Sequence, residues 1–233
     1  MPMQLIRTMT FCAAHRTPDA PEEAARRLHG HIYHVDLILS GPVDERRGWL
    51  VDFGDVKRAF APVAEALDHA YLNAIEGLES GGDDALAAWI HARLKPALPQ
   101  LARVRVRTRA TPFAPRRLPA EPALGLPERL AIGIEAAHRL PHCGEGHKCL
   151  DLHGHSFELE VGAADLDRLV APLAAVHDRL DHRLLNDIEG LENPTSERLA
   201  AWIWDALRPA VPGLRVVVVR ESPECACLWR GEP

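Results

Sequence analysis

The chain has 233 residues, 47% apolar and 26% charged, which is enough for a packed core in one large domain or two small ones. Its net charge of −6 lacks the basic surplus that holds a nucleic-acid backbone, and no apolar stretch nears the roughly 20 residues that cross a bilayer. The opening MPMQLIRTMTFCAAHR has no apolar export region, so the expectation is a cytoplasmic chain whose five cysteines stay reduced unless they bind metal or do chemistry.

In chain order, Cys12-Ala13-Ala14-His15 reads as the end of a core strand. His29 to Leu39 alternates as a half-buried strand does, and Asp55 to Leu67 carries apolar residues at three- and four-residue steps, as an amphipathic helix does. A second helix starts near Asp83, and Leu101 to Arg107 is a strand. The proline-dense run TPFAPRRLPAEPALGLPE then reads as a stiff, extended linker.

After the linker the same elements return. Ala136-Ala137-His138 repeats Ala13-Ala14-His15, and Leu152-His153-Gly154-His155 repeats Leu28-His29-Gly30-His31. Leu180-Asp181-His182 repeats Leu67-Asp68-His69, and Ile188-Glu189-Gly190-Leu191-Glu192 repeats Ile75-Glu76-Gly77-Leu78-Glu79. The strand His153 to Val161, the helix Leu166 to Leu180, a helix capped by Asn193 with Pro194 at its first position, and the strand Leu214 to Arg220 complete the second set. From Asp52 to Arg107 the two sets stay 113 residues apart. The predicted organisation is therefore a first domain over 1–112, a linker over 113–129 and a second domain over 130–233. Each is an α+β unit, an antiparallel sheet with two helices on one face, whose exposed edges favour self-association.

Residues two apart on a strand share a face, so His29 pairs with His31 and His153 with His155. His15 and His138, on the preceding strands, complete two three-histidine sets. Three neutral imidazoles with an open fourth position are the catalytic form of a zinc site, although copper, nickel and iron also suit imidazole. A rival four-thiolate site of Cys143, Cys149, Cys225 and Cys227 lacks the usual two-residue knuckle spacing, and Cys12, Cys143, Cys225 and Cys227 read as small packing residues. Cys149 stands apart. Four residues before His153, beside a bound cation, its thiol should ionise readily and act as a general base.

The segments EAAHRLPHCGEGHKCLDLHGHSFELEV, LDHRLLNDIEGLENPTSERLAAWIWDALRPAVP and VRESPECACLWRGE closely resemble 6-carboxytetrahydropterin synthases of the 6-pyruvoyltetrahydropterin synthase superfamily. The resemblance implies two tandem T-fold domains. It also implies zinc held by His138, His153 and His155, with His15, His29 and His31 as a second set. Cys149 is implied as general base, and Asp181-His182 or Asp68-His69 as the proton-shuttling pair given from one unit to another. Glu221 would anchor the amino-pyrimidine edge of a pterin, with Thr195, Ser196 and Glu197 lining its pocket. The implied reaction converts 7,8-dihydroneopterin triphosphate to 6-carboxytetrahydropterin and acetaldehyde, with loss of triphosphate, on the route to queuosine. The spacing Cys-x3-His-Gly-His is similar to that of the carboxy-forming group, and 6-pyruvoyltetrahydropterin is the alternative product. Six T-fold units in the family assembly imply three chains in a pseudo-hexamer, with like or alternating copies around each ring.

Copy one departs from this pattern. Ala25 stands where Cys149 does, Thr108 where Glu221 does, Gly81 to Asp84 replace Pro194 to Glu197, and Pro112 and Pro115 spoil a closing strand. Copy one is expected to be catalytically degenerate. Copy two lacks the counterpart of roughly GPVDERRGWLV, an 11-residue shortening expected to open the site or alter subunit packing. A non-catalytic, pterin-binding assembly protein is the reading of another class.

Overall fold

A computed structural model describes residues 3–109 and 112–231. The first copy contains β1 (Met3–His15), α1 (Glu23–Arg26), β2 (His29–Gly41), α2 (Phe53–Leu67), β3 (Ala70–Tyr71), α3 (Asp83–Leu94) and β4 (Leu101–Arg107). The second contains β5 (Arg116–Leu118), β6 (Arg129–His138), β7 (His153–Ala163), α4 (Leu166–Leu180), β8 (Arg183–Leu184), α5 (Ser196–Leu207), β9 (Leu214–Ser222) and β10 (Cys225–Trp229). The sheets run β3-β1-β2-β4 and β10-β9-β7-β6-β5, with β8 beside the end of β6. All pairings are antiparallel except the two-residue strands β3 and β8, which lie parallel to β1 and β6. No helix of the described residues is long and apolar enough to cross a membrane.

Each sheet buries one face under its helices. In α2 the buried residues Val56, Phe60, Val63 and Leu67 recur at helical steps, and Asp52 caps the first turn by accepting from the Gly54 N–H at 2.5 Å. The same logic buries Leu169, Leu173, Val176 and Leu180 of α4, capped by Asp165. Two large apolar cores result, one per copy, and copy two carries a small further cluster of Leu126, Val216 and Val218. Helix α5 begins two residues later than the sequence suggests. Thr195 is its cap, with Oγ1 accepting from the Arg198 N–H at 3.3 Å, while Pro194 stays outside, buried, with its carbonyl free for another partner.

Residues read as a linker are more than a spacer. Within 113–129, β5 pairs with the start of β6. The buried Arg129 donates to the Pro119 carbonyl at 2.9 Å and to Glu121 at 3.1 Å. A proline-rich stretch takes up strand pairing here because β5 is an edge, where the missing N–H groups of flanking prolines cost no ladder bond.

The two copies meet at their His-Gly-His segments. A Cβ built on Gly30 would lie 2.3 Å from the Gly154 Cα, so only glycine permits this approach of backbones. Beside it the Ile32 N–H donates to Ser156 Oγ at 3.1 Å. The 11-residue difference falls elsewhere. The extra segment of copy one follows Gly41, at the far end of β2 from His29 and His31. In copy two the run from His155 to Ala163 separates the shortened turn from the histidines by roughly 25 Å of strand. Within one chain the shortened turn therefore lies at the far end of β7 from His153 and His155.

Candidate active site

The histidines converge as their spacing requires. His15, His29 and His31 bring one ring nitrogen each to within 4.8 Å of one another, and His138, His153 and His155 do the same together with a Glu221 oxygen. All six rings are buried, at 6% exposure or less. Most turn the other nitrogen to a fixed acceptor. His15 Nδ1 meets the Gly81 carbonyl at 2.8 Å and His29 Nδ1 the Arg27 carbonyl at 2.8 Å. His138 Nδ1 meets the freed Pro194 carbonyl at 3.1 Å and His153 Nδ1 the Asp151 carbonyl at 2.8 Å. A ring whose Nδ1–H donates to a carbonyl presents Nε2 as a lone pair.

Burial keeps those lone pairs free of protons. It is the largest cause lowering the pKa of His15 and His153 to about 3, of His138 and His31 to about 4 and of His29 to about 2, helped by neighbouring imidazoles. His138 Nε2 and His153 Nε2 are buried without a hydrogen-bond partner. An orphaned polar atom costs about 1–3 kcal/mol, and two aimed at one point fit a metal ion. Glu221 Oε1 lies 3.0 Å from His155 Nε2, and its Oε2 accepts from Ser196 Oγ at 2.8 Å. Burial alone would raise the Glu221 carboxyl, but His155, His138 and Ser196 hold it down at about 2.

The Asp-His pairs are exchanged between copies. Each is latched onto its own first strand: Asp68 Oδ1 accepts from the Cys12 N–H at 3.1 Å while the His69 N–H donates to the Cys12 carbonyl at 2.6 Å. Asp181 and His182 grip Glu135 in the same way, at 2.9 and 2.7 Å. Both histidines sit in the left-handed region, φ 61° for His69 and 52° for His182, a conformation costly for a side chain with a Cβ. The strained turn throws each ring across to the other copy. His69 packs tilted against His153 with centroids 4.3 Å apart, and His182 against His29 at 4.4 Å.

His69, Cys149 and His153 therefore form a third cluster, again within 4.8 Å. Asp68 Oδ2 lies 3.1 Å from His69 Nδ1 and also accepts from Lys148 Nζ at 3.3 Å. Of the two Asp-His pairs, only Asp68-His69 reaches Cys149 within the chain. Asp181-His182 lines copy one's cavity of about 520 Å³, with Asp83, Thr108 and Arg109.

The protein's own groups push the Cys149 thiol up, burial foremost, then Cys143, Glu221 and Asp68, so easier ionisation must come from a bound cation. Of Thr195, Ser196 and Glu197, Ser196 reaches Glu221, Thr195 spends its hydroxyl on the helix cap and Glu197 is exposed. Among the described residues, Cys149 is the one cysteine in a potential metal cluster, so no four-thiolate site forms.

The model of the family described as 6-pyruvoyl tetrahydropterin synthase matches residues 4–116 and 130–232, both copies. The chain belongs to the 6-pyruvoyl tetrahydropterin synthase family. It is similar to a Synechocystis protein named 6-carboxy-5,6,7,8-tetrahydropterin synthase, 48% identical over 39% of this chain and 82% of that one. An Archaeoglobus fulgidus protein named putative 6-carboxy-5,6,7,8-tetrahydropterin synthase is 36% identical over 42% of this chain and 92% of its own length. A Pyrococcus furiosus protein named dihydroneopterin monophosphate aldolase is 29% identical over 42% and 81% respectively. Each relative spans about one copy, so this family member carries two T-fold units, and it is a lyase of that pterin-processing family.

One group of the site escapes the sequence reading. Glu135, 1% exposed, accepts at Oε2 from His31 Nδ1 at 2.8 Å and from Ser156 Oγ at 2.6 Å. Burial foremost, with Asp181, pushes its carboxyl up to about 8. The one available signal was a carboxylate inside the otherwise apolar stretch LAIGIEAA, since a buried acid demands partners.

Proposed function

We propose that the chain is a zinc-dependent lyase that converts 7,8-dihydroneopterin triphosphate to 6-carboxy-5,6,7,8-tetrahydropterin, acetaldehyde and triphosphate, a precursor step toward queuosine. The observation that carries the reading is the meeting of Cys149, His69 and His153 beside Glu221. Its support from relatives is the 48% identity to a protein of that name. His138, His153 and His155 would hold the metal. Zinc bound there supplies Lewis acidity, making substrate hydroxyls beside it more acidic.

The remaining work belongs to side chains. Glu221, ionised and fixed by Ser196, accepts two adjacent N–H donors of the pterin edge. Cys149 Sγ removes a proton from the side-chain carbon, and His69, oriented by Asp68, carries protons to and from the side-chain oxygens.

Assembly follows from the same arrangement. The copies of one chain stack through their His-Gly-His segments, while β1 and β4 of copy one and β10 of copy two keep open edges. Three chains joined edge to edge then give one ring of first copies upon one ring of second copies, a homotrimer built as a pseudo-hexamer. The test is turnover of the triphosphate by purified, zinc-loaded protein with product mass as readout. The carboxy product is expected, and Cys149→Ala should lower the rate by about 10²–10⁴, the usual worth of a positioned base. A pyruvoyl product corrects the product. Pterin binding without product, or unchanged turnover by Cys149→Ala, overturns the assignment.

A further inference from the structure

The two histidine sets differ in how their rings are held. In copy one every ring has its second nitrogen tied: His15 to the Gly81 carbonyl, His29 to the Arg27 carbonyl and His31 to the Glu135 carboxylate, each at 2.8 Å. In copy two, His138 and His153 are tied to the Pro194 and Asp151 carbonyls, but His155 Nδ1 is buried with no partner. The cause is one residue. Three positions before His138 stands Glu135, and three before His15 stands Cys12, whose side chain makes no such bond to His155.

Glu135 also belongs to the opposite copy from the ring it holds. Its Oε2 takes the Ser156 hydroxyl at 2.6 Å, and Ser156 Oγ in turn takes the Ile32 N–H of copy one at 3.1 Å. His31, Glu135, Ser156 and Ile32 thus form a short buried chain of hydrogen bonds between copies, with His31 at its head. A hydrogen-bond acceptor on the far nitrogen of a ligating imidazole fixes the ring's orientation and its tautomer.

From this asymmetry we infer that Glu135 is a positioning residue for the copy-one metal site, so that this site is the tighter of the two and its ion is a permanent brace between the copies. The inference rests on the reading of both histidine sets as metal sites. Copy one needs no exchangeable ligand position, because Ala25 and Thr108 replace the base and the anchor. Copy two keeps His155 less constrained where Glu221 shares the site.

The experiment is metal content per chain with the time course of zinc release to a chromogenic chelator. The intact protein should hold two zinc ions and release them in two phases. In His153→Ala, which leaves the copy-one set, the slow phase should remain. In His29→Ala, which leaves the copy-two set, the fast phase should remain. Glu135→Ala should speed the slow phase by about 10–100-fold, the usual worth of such a partner, without changing release from the His29→Ala chain. Should Glu135→Ala not fold, Glu135→Leu, which keeps the bulk and removes the acceptor, carries the same test. Equal acceleration at both sites marks general loosening and overturns the inference, as do unchanged release and a single common rate. Absence of zinc from both sets would instead overturn the metal reading beneath it.

Discussion

The two three-histidine sets of this chain share a backbone and a crossing Asp-His pair and differ in the other side chains around them. Copy two places a thiol, a carboxylate and a hydroxyl about its three histidines, whereas copy one places Ala25, Thr108 and Asp83 at the matching positions. Copy one nevertheless contributes to the cluster of copy two, because His69, held by Asp68, crosses to Cys149. The reverse loan of Asp181-His182 reaches a cavity without a thiol, so the loans are equal in geometry and unequal in chemistry.

The sharpest way to break this comparison is to remove the lent rings one at a time. His69→Ala should cost about 10²-fold or more in kcat, as loss of a proton carrier does, and His182→Ala should cost far less. Steady-state kinetics on both variants decides it, and the opposite ranking would place copy two's partner on another chain. Next in size is the anchor. Glu221→Gln keeps the shape but loses the charge that accepts two donors, so KM should rise by about 10-fold or more, the worth of a charge-assisted bond. The matching substitution Thr108→Ala in copy one should leave KM where it was. An equal effect of both would mean that copy one also binds substrate.

A smaller effect tests the contact that makes the exchange possible. A methyl at Gly30 would sit 2.3 Å from the Gly154 Cα and 2.9 Å from the Ala13 carbonyl oxygen. Gly30→Ala should therefore cost roughly 1–3 kcal/mol of stability, measured as a lowered Tm. Gly144→Ala, where a methyl meets nothing within 4 Å, is the control. The mildest probe is pH. Burial lowers five of the six histidines to between about 2 and about 4, against an ordinary value of 6.5. Between those limits the unfolded chain binds more protons than the folded one, so stability is full above about pH 6.5 and falls as the pH drops. Each such ring contributes up to about 1.4 kcal/mol per pH unit. Chelator-treated protein should show a Tm that declines steadily from pH 7 to pH 4, and a flat profile would mean that the rings stay exposed.

The sequence by itself determined the repeat, the α+β units and the two histidine triads, because strand alternation and helix periodicity are local and a His-x-His pair on one strand needs no tertiary information to share a face. It also singled out Cys149 by its place four residues before His153, and Glu221 through family likeness. It placed the start of α5 two residues early, since Asn193-Pro194 and Thr195 are both acceptable caps and only packing of the Pro194 carbonyl against His138 selects the second. Three matters were beyond it. Which Asp-His pair faces Cys149 depends on how two sheets stack. The effect of the shortened turn depends on which end of a strand the site occupies. The role of Glu135 depends on a hydrogen bond to a residue 104 positions away in the other copy. Each is a contact between elements that never neighbour one another along the chain, and a one-dimensional pattern carries the chemistry of such residues without their distances.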